Sequence, residues 1–535
     1  MAGEKEYIVT IKKGHDLEQV HDELIRDTSA DDSVDSNVIP DRPVEVAMIR
    51  EINPRNTHYL LTDEEANNLK NDARVQGVYL KALRPKPSPR AFQDGIFDKT
   101  SNISGQYKNW GLLRHINTTN IFSTSTSDPG GTYDYVLDGT GVDVVIMDSG
   151  IQKDHPEFQD ANGASRIQEI NWFTASGVPG TMPANHYTDV DGHGTHVAAT
   201  AAGKTFGWAK NAHIYVLTIL SGNSSNNISS DDAFDCILGW HNAKTNGRPT
   251  VLNMSWGYSF TLDTNRTPNY ITENGVTDYA YLTGGTYRGT SHSDTTRAAL
   301  INKGITGQNI GSGYYQIPYT VDPSDADVET LINAGIHVCI SSGNTGWKHD
   351  VLGGVDYNNE MRYTYIPAQG GFSASELYHR GGSPHIRDNP GFMVGSLDSV
   401  ANSATLDQKA SYSDGGPGVN IYTAGTNIMS AVSNTYAESP SRTTYYDNAS
   451  FYQSKFDGTS MASPQVAGMA ACLLQAHPTW TPTQVMNWFQ NNSQDKIYST
   501  GNNNDYTTTN SLWGGTQRVA YFPLNGQRPF QYTSS

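Results

Sequence analysis

Three short stretches hold the residue types of nucleophilic catalysis. "FDGTSMASPQVAG" carries Ser460, "DGHGTHVAATAAG" carries His193, and "VDVVIMDSGIQKDHPEF" carries Asp148. A serine hydroxyl is a weak nucleophile until a neighbouring base takes its proton, and that base must be held in one tautomer by a third group. Serine, imidazole and carboxylate together meet that requirement. Each has a bland reading alone: Ser460 as a helix cap, His193 as a structural histidine, Asp148 as a turn residue. The first of these does not compete with catalysis. A helix start leaves amides free to face an oxyanion and sets the hydroxyl near the positive end of the dipole.

The elements that would position these residues can be read from the patterning. Beyond "NWGLLRHI" the chain alternates buried apolar strands with helices: "VDVVIM", "GTHVAATAAG", "AHIYVLTIL", "DDAFDCILGWHNAK", "TVLNMS", "DADVETLINAG", "IHVCIS", "GFMVGS" and "GTSMASPQVAGMAACLLQAH". Continuous apolar strands between helices predict an α/β domain whose mostly parallel, doubly wound sheet is covered on both faces. Asp148 then falls at the carboxyl end of a buried strand, where ligands and catalytic groups collect in open α/β sheets. A carboxylate buried there needs a partner such as imidazole. A last helix is predicted in "TPTQVMNWFQ", with Thr481 as N-cap, Pro482 at the first position and Gln484 closing a capping box.

Residues 1–80 form a separate unit with the order strand, helix, strand, strand, helix, strand, a split βαβ of the ferredoxin-like α+β type. The Pro-rich, basic "KALRPKPSPRAFQDG" follows, so residues 81–105 are a linker and 106–535 the α/β domain. Within that domain, residues 258–322 and 346–390 are rich in Gly, Tyr, Asn and Thr and lack periodicity. They read as surface insertions that shape a cleft.

Taken together the three catalytic stretches resemble the signature blocks of the subtilisin-like serine proteases (subtilases), in the family's order Asp, His, Ser. "GWAKNAHIYVLTIL", "VLNMSWG", "QKASYSDGGPGVNIYTAG" and "AHPTWTPTQV" extend the likeness over most of residues 107–492. The resemblance implies a subtilisin-like fold and a serine endopeptidase that uses the triad Asp148, His193 and Ser460. It also implies that Asn344 of "IHVCISSGNTGW" shares an oxyanion hole with the Ser460 backbone N–H. By the same resemblance Ser255, Trp256 and Gly257 face Ser341, Ser342 and Gly343 across the primary pocket. An extended polypeptide substrate adds a strand at the Ser255 edge. Trp256, Ser341, Ser342 and Ala199 depart from the family's usual residues, so side-chain preference does not carry over. The N-terminal unit is similar to the family's inhibitory propeptide, which implies an intramolecular inhibitor and self-cleavage between about residues 90 and 108. A catalytically silent or weakly active subtilase scaffold serving in binding or assembly is the competing class. A lipase or esterase is disfavoured, since no G-x-S-x-G elbow surrounds Ser460.

The remaining signals set limits. Thirty-six basic against 54 acidic residues give a formal charge of -18, which argues against a nucleic-acid partner. The three cysteines, Cys236, Cys339 and Cys472, lie in apolar runs and suit neither disulfides nor zinc. The start "MAGEKEYIVTIKKG" shows no signal-peptide pattern, and no run reaches membrane-spanning length. No cofactor is expected for catalysis. Relatives often bind structural calcium, for which Asp154, Glu157 and Asp160 are the nearest oxygen donors, although no ligand-spaced loop is present.

Overall fold

The computed structural model describes residues 4–26, 35, 38–50, 53–81, 88–89, 109–120, 123–125, 135–263, 270–273, 276–305, 314–365, 373–384, 389–436, 442–499 and 511–525. An eight-stranded sheet organises the chain. Its strand order is Gln494–Asp495, Arg518–Val519, Ile421–Ala424, Phe392–Leu397, His337–Ser341, Thr250–Met254, Asp143–Asp148 and His213–Thr218. Every neighbouring pair is parallel except Gln494–Asp495 on Arg518–Val519. Side chains alternate between the faces of a strand, and every residue of Asp143–Asp148, Thr250–Met254 and His337–Ser341 is buried. Both faces are therefore covered, as the apolar runs predict.

Helix Thr459–Ala476 packs on the Phe392–Leu397, His337–Ser341 and Thr250–Met254 strands, with helix His193–Ala202 beside it. Small residues make that contact possible: a Cβ on Gly468 would lie 2.4 Å from the Ala201 carbonyl oxygen. Helices Ser230–Ala243 and Asp322–Asn333 pack on one another, and the latter also meets His337–Ser341. Thr481 and Gln484 form the expected reciprocal cap on helix Pro482–Asn492.

Residues 5–80 fold as strand Lys5–Ile11, helix Leu17–Ile25, strands Glu45–Met48 and Asn56–Leu61, helix Asp63–Leu69 and strand Val75–Leu80. The four strands make an antiparallel sheet with Lys5–Ile11 between Asn56–Leu61 and Val75–Leu80. Val9, Val20, Leu24, Leu61 and Leu69 fill a core separate from that of the large sheet. This unit sits on helices Ser230–Ala243 and Asp322–Asn333 through polar contacts. Arg50, 2% exposed, reaches Asp235 at 2.8 and 3.0 Å and Asp327 at 3.2 Å. Asn56 donates to Asp327, Arg55 pairs with Glu329 at 2.8 Å, and the Tyr79 hydroxyl donates to Asp322.

The two stretches read as insertions without periodicity come together. Strands Tyr314–Pro318, Ser259–Asp263, Tyr270–Glu273, Val276–Tyr287, Glu360–Tyr365 and Ser373–Leu377 follow one another in an antiparallel sheet, and Thr290–His292 pairs with Val276–Tyr287. The Val276–Tyr287 and Glu360–Tyr365 strands belong to different insertions, so no local alternation announces their pairing. Of the expected linker, residues 82–87 and 90–105 lie outside the described residues. Between them Ser88 pairs with Gly257 and Pro89 with Trp256, antiparallel.

Candidate active site

Asp148 is the last residue of its strand and fully buried. Its Oδ1 lies 2.7 Å from His193 Nδ1, the first residue of its helix, and accepts from the Ser149 amide at 2.7 Å. A carboxylate on Nδ1 fixes the proton there in the neutral imidazole and leaves Nε2 as the acceptor. Burial disfavours the imidazolium, but Asp148, with further help from Asp189 and Asp191, more than offsets it and raises the His193 pKa above 6.5. His193 Nε2 is buried and has no hydrogen-bond partner among the described residues.

The second histidine of "DGHGTH" is the control. His196 stacks on Phe456 with ring centroids 4.3 Å apart, and its Nε2 lies 2.9 Å from the Ile428 carbonyl. Burial, with the charge of His193 acting in the same direction, pushes its pKa down to about 3. One helix turn thus separates a paired imidazole from one held neutral.

Asp189 fastens this corner. Its Oδ1 accepts from the Ser149 hydroxyl at 3.0 Å and the Gly192 amide at 2.8 Å, and its Oδ2 accepts from the Thr195 amide and hydroxyl at 2.9 and 2.6 Å. The Gly194 amide donates to Ser149 Oγ at 2.8 Å, and a Cβ on Gly194 would lie 2.2 Å from the Gly150 carbonyl oxygen. The acid turn and the histidine helix can approach this closely only through glycine.

Ser460 is the second residue of helix Thr459–Ala476, and Gly458 rather than a hydroxyl residue occupies the cap. Ser460 is thus inside the first turn, where its amide has no intrahelical acceptor. Its hydroxyl donates to the Ser255 carbonyl at 3.0 Å, while the Ser255 hydroxyl donates to the Ser460 carbonyl at 2.9 Å. Asn253 Nδ2 donates to Ser255 Oγ, and Ser463 donates to Asn253 Oδ1, so one buried relay ties the serine helix to its neighbouring strand. The structure brings Asp148 to His193 and Ser460 to Ser255; a bond between Ser460 Oγ and His193 Nε2 is not made.

Asn344 lies three residues past strand His337–Ser341. Its Oδ1 accepts from the Thr459 amide and hydroxyl, both at 2.8 Å. Those bonds identify the amide's acceptor end, so its Nδ2 donor is turned away from Thr459. Ser341 and Ser342 are buried with hydroxyls that have no hydrogen-bond partner among the described residues. Gly343 donates its amide to Thr459 Oγ1 at 3.1 Å. Trp256 is fully buried: its indole packs on Phe234 and Tyr258 and donates to the Met147 carbonyl at 3.0 Å. What Trp256 offers a cleft is its main chain, which together with Gly257 meets Ser88–Pro89.

A family model for the subtilase family matches residues 139–512, well over half of the chain. The chain belongs to the subtilase family. This subtilase is 26% identical over 376 residues to an extracellular serine proteinase of Thermus sp. (strain Rt41A), covering 70% of this chain and 59% of that one. It is 26% identical over 388 residues to subtilisin-like protease 5 of Arthroderma benhamiae (strain ATCC MYA-4681 / CBS 112371), covering 71% of this chain and 62% of that one. The chain thus spans about three fifths of the length of these relatives. Among solved structures, fervidolysin from Fervidobacterium pennivorans, described as a keratinolytic enzyme related to subtilisin, aligns at a TM-score of 0.48 and 15% identity, covering 99% of this chain and 62% of that one. A cold-adapted subtilisin-like serine proteinase aligns at 0.43 and 21%, covering 77% and 97%.

Two of the three calcium donors named from the sequence, Glu157 and Asp160, accept hydrogen bonds within this subtilase. Glu157 is buried, accepting from Tyr445 OH at 2.7 Å and from the Thr205 and Phe206 amides, and Asp160 accepts from the Asn162 and Ala164 amides. Among the described residues no group of three or more His, Cys, Asp or Glu is gathered as a metal cage. Both carboxylate oxygens of Glu157 are taken by these bonds, so Glu157 fits its hydrogen bonds rather than a cation. All three cysteines are buried and unpaired, and no described helix is long and apolar enough to cross a membrane.

Sequence reading missed Asp189 and Thr459. Asp189 stands four residues before His193 in "TDVDGHGTH", a spacing that brings a side chain back to a helix start. Thr459, inside "GTS", carries no signal beyond its contact with Asn344, 115 residues away.

Proposed function

We propose that the chain is a serine endopeptidase made as an autoprocessed proenzyme. The observation that carries this reading is the buried Asp148–His193 pair, whose acceptor nitrogen has no partner among the described residues, on a helix packed against the one that bears Ser460 at N2. Ser460 Oγ turns from the Ser255 carbonyl to His193 Nε2 and attacks the peptide carbonyl carbon. The hydroxyl proton passes to Nε2 as the C–O bond forms, and the carbonyl electron pair moves onto oxygen. Asn344 Nδ2 and the Ser460 amide receive that oxyanion; loss of such a donor costs about 100- to 1000-fold in kcat. Asp148 holds the imidazole and stabilises its charge. When the C–N bond breaks, His193 returns the proton to the leaving amine, and water then repeats the sequence on the acyl-enzyme.

The N-terminal unit acts as the inhibitor. Its support is the pairing of Ser88–Pro89 with Gly257–Trp256, main chain on main chain, on the edge where an extended substrate adds a strand. The scissile bond falls at residues 90–108, outside the described residues. Ser255 to Gly257 and Ser341 to Gly343 line the primary pocket.

Two measurements test the reading. A fluorophosphonate probe labels the wild-type chain and not Ser460→Ala; absence of labelling in the wild type would leave a scaffold. Intact mass shows loss of roughly the first 100 residues in the wild type and none in Ser460→Ala.

A further inference from the structure

We propose that Asp414, clamped by His349, is the positioning residue for the oxyanion donor Asn344; this rests on the role given to Asn344 above. Asp414 is fully buried in "YSDGGPG", seventy residues from Asn344 in sequence. Its contacts surround the turn that carries Asn344. On one shoulder, the Asp414 amide donates to the Gly343 carbonyl at 2.9 Å. On the other, Asp414 Oδ1 accepts from the Thr345 amide at 3.0 Å, the Thr345 hydroxyl at 3.2 Å and the Trp347 amide at 2.9 Å.

The second carboxylate oxygen is held independently. Oδ2 lies 3.1 Å from Nε2 of His349, itself 2% exposed. Backbone bonds reinforce the match: Gly346 donates to the Tyr412 carbonyl, Gly415 to Trp347, and the His349 amide to Gly415. Lys409, buried beside Asp414, donates to the Ala410 and Ser413 carbonyls, so its ammonium offsets the carboxylate's charge without competing for its oxygens.

The chain of contacts then runs to the chemistry. Asp414 fixes residues 343, 345 and 347, and Asn344 between them bonds to Thr459, the residue before Ser460. Asn344 has no strand or helix of its own, because its turn follows the end of strand His337–Ser341. A turn carrying a hydrogen-bond donor for a transition state needs sub-ångström placement, and a misplacement of about 1 Å can cost 100-fold in rate. Asp414 supplies that rigidity through three donors on one oxygen.

The test is a double-mutant cycle in the full chain, read as kcat and KM on a chromogenic peptide amide. Asp414→Ala lowers kcat about 10- to 100-fold with KM within about threefold. Asp414→Asn, which keeps one acceptor oxygen for the turn, recovers most of that loss. In the Asn344→Ala background, Asp414→Ala costs less than about threefold further, since its route to the oxyanion is already gone. An equal loss in both backgrounds, or a rise in KM with kcat intact, overturns the proposal. If Asp414→Ala fails to fold, His349→Ala carries the same cycle with a loss of about 3- to 10-fold. Hydrogen exchange separates this from failure of the protease reading. Asp414→Ala speeds exchange at the Thr459 amide together with residues 343–347, whether or not the wild type turns over. Unchanged protection at Thr459 sinks the proposal, whereas an inactive wild type sinks only the proteolytic role.

Discussion

Two buried carboxylate sites on the same domain make opposite use of burial. Asp148 faces an imidazole at 2.7 Å, while Asp235 and Asp327, 7% and 1% exposed, share the guanidinium of Arg50. Burial disfavours charge at both. At the first, the partner is an imidazole, a group that can take and return a proton, and Asp148 raises its pKa above 6.5 against the burial that opposes it. At the second, burial again works against the cation, but Asp327 and Asp235 hold the Arg50 pKa still further above its usual value. That proton is not available. Partner identity, rather than depth, separates the site proposed for proton transfer from the one that fastens two units.

The largest expected effect breaks the first site without changing its shape. Asp148→Asn keeps the packing but lets Nδ1 lose its fixed proton, and peptide turnover falls by about 10⁴-fold. Thermal unfolding should move little by comparison. A turnover loss below tenfold would show that the pair is only structural.

Next in size is the fastener. Arg50→Ala leaves Asp235 and Asp327 buried without a cation, a cost of about 3–5 kcal/mol at such a site. The N-terminal unit should then dissociate readily from the processed chain, seen as loss of co-elution in gel filtration. Arg50→Lys keeps the charge but not the fork that reaches both carboxylates, and its effect should be smaller. Retention unchanged in Arg50→Ala would mean that the Ser88–Pro89 pairing and the remaining contacts carry the docking.

The two sites also differ in what could be read beforehand. Asp148, His193 and Ser460 sit in compact blocks whose neighbours, glycine and small residues, are dictated by close approach, so local order alone is enough to propose them. The buried parallel strands were equally plain, because a strand covered on both faces is a continuous apolar run. Arg50 gave no sign. Its partners lie 185 and 277 residues away, and a lone arginine before "EINPR" reads as a surface charge. The insertion sheet was hidden for a related reason: its pairings, such as Leu282 with Tyr363, join distant polar stretches. Thr459 and Asp414 act through side-chain bonds between segments that only the fold brings together, and Asp189 adds one such bond, to Ser149, to its local ones.

A pH profile sharpens the contrast at a smaller scale. His193 must be neutral to take the serine proton, and Asp148 raises its pKa against the burial that opposes it. The logarithm of kcat/KM should therefore fall with a slope approaching one as pH drops through a value above 6.5, about 1.4 kcal/mol per unit. For stability the sign is opposite. A raised histidine pKa contributes stability that is fully present below about 6.5 and is lost as pH rises through the folded-state value. An activity midpoint at or below 6.5 would mean that burial, not the Asp148 pair, governs His193.

The smallest effect tests whether charge alone fastens the N-terminal unit. Lys13 faces Glu329 across the same interface at 3.6 Å, but its side chain is 57% exposed. Water screens such a pair, and holding a long side chain in place costs entropy, so Lys13→Ala should change docking by less than about 1 kcal/mol. Raising salt from 0.05 to 0.5 M should mimic that substitution while leaving the Arg50 contacts largely intact, because desolvated pairs are poorly screened. If Lys13→Ala released the unit as fully as Arg50→Ala, the interface would be a diffuse attraction of opposite charges, and the geometry of Arg50 between its two carboxylates would be incidental.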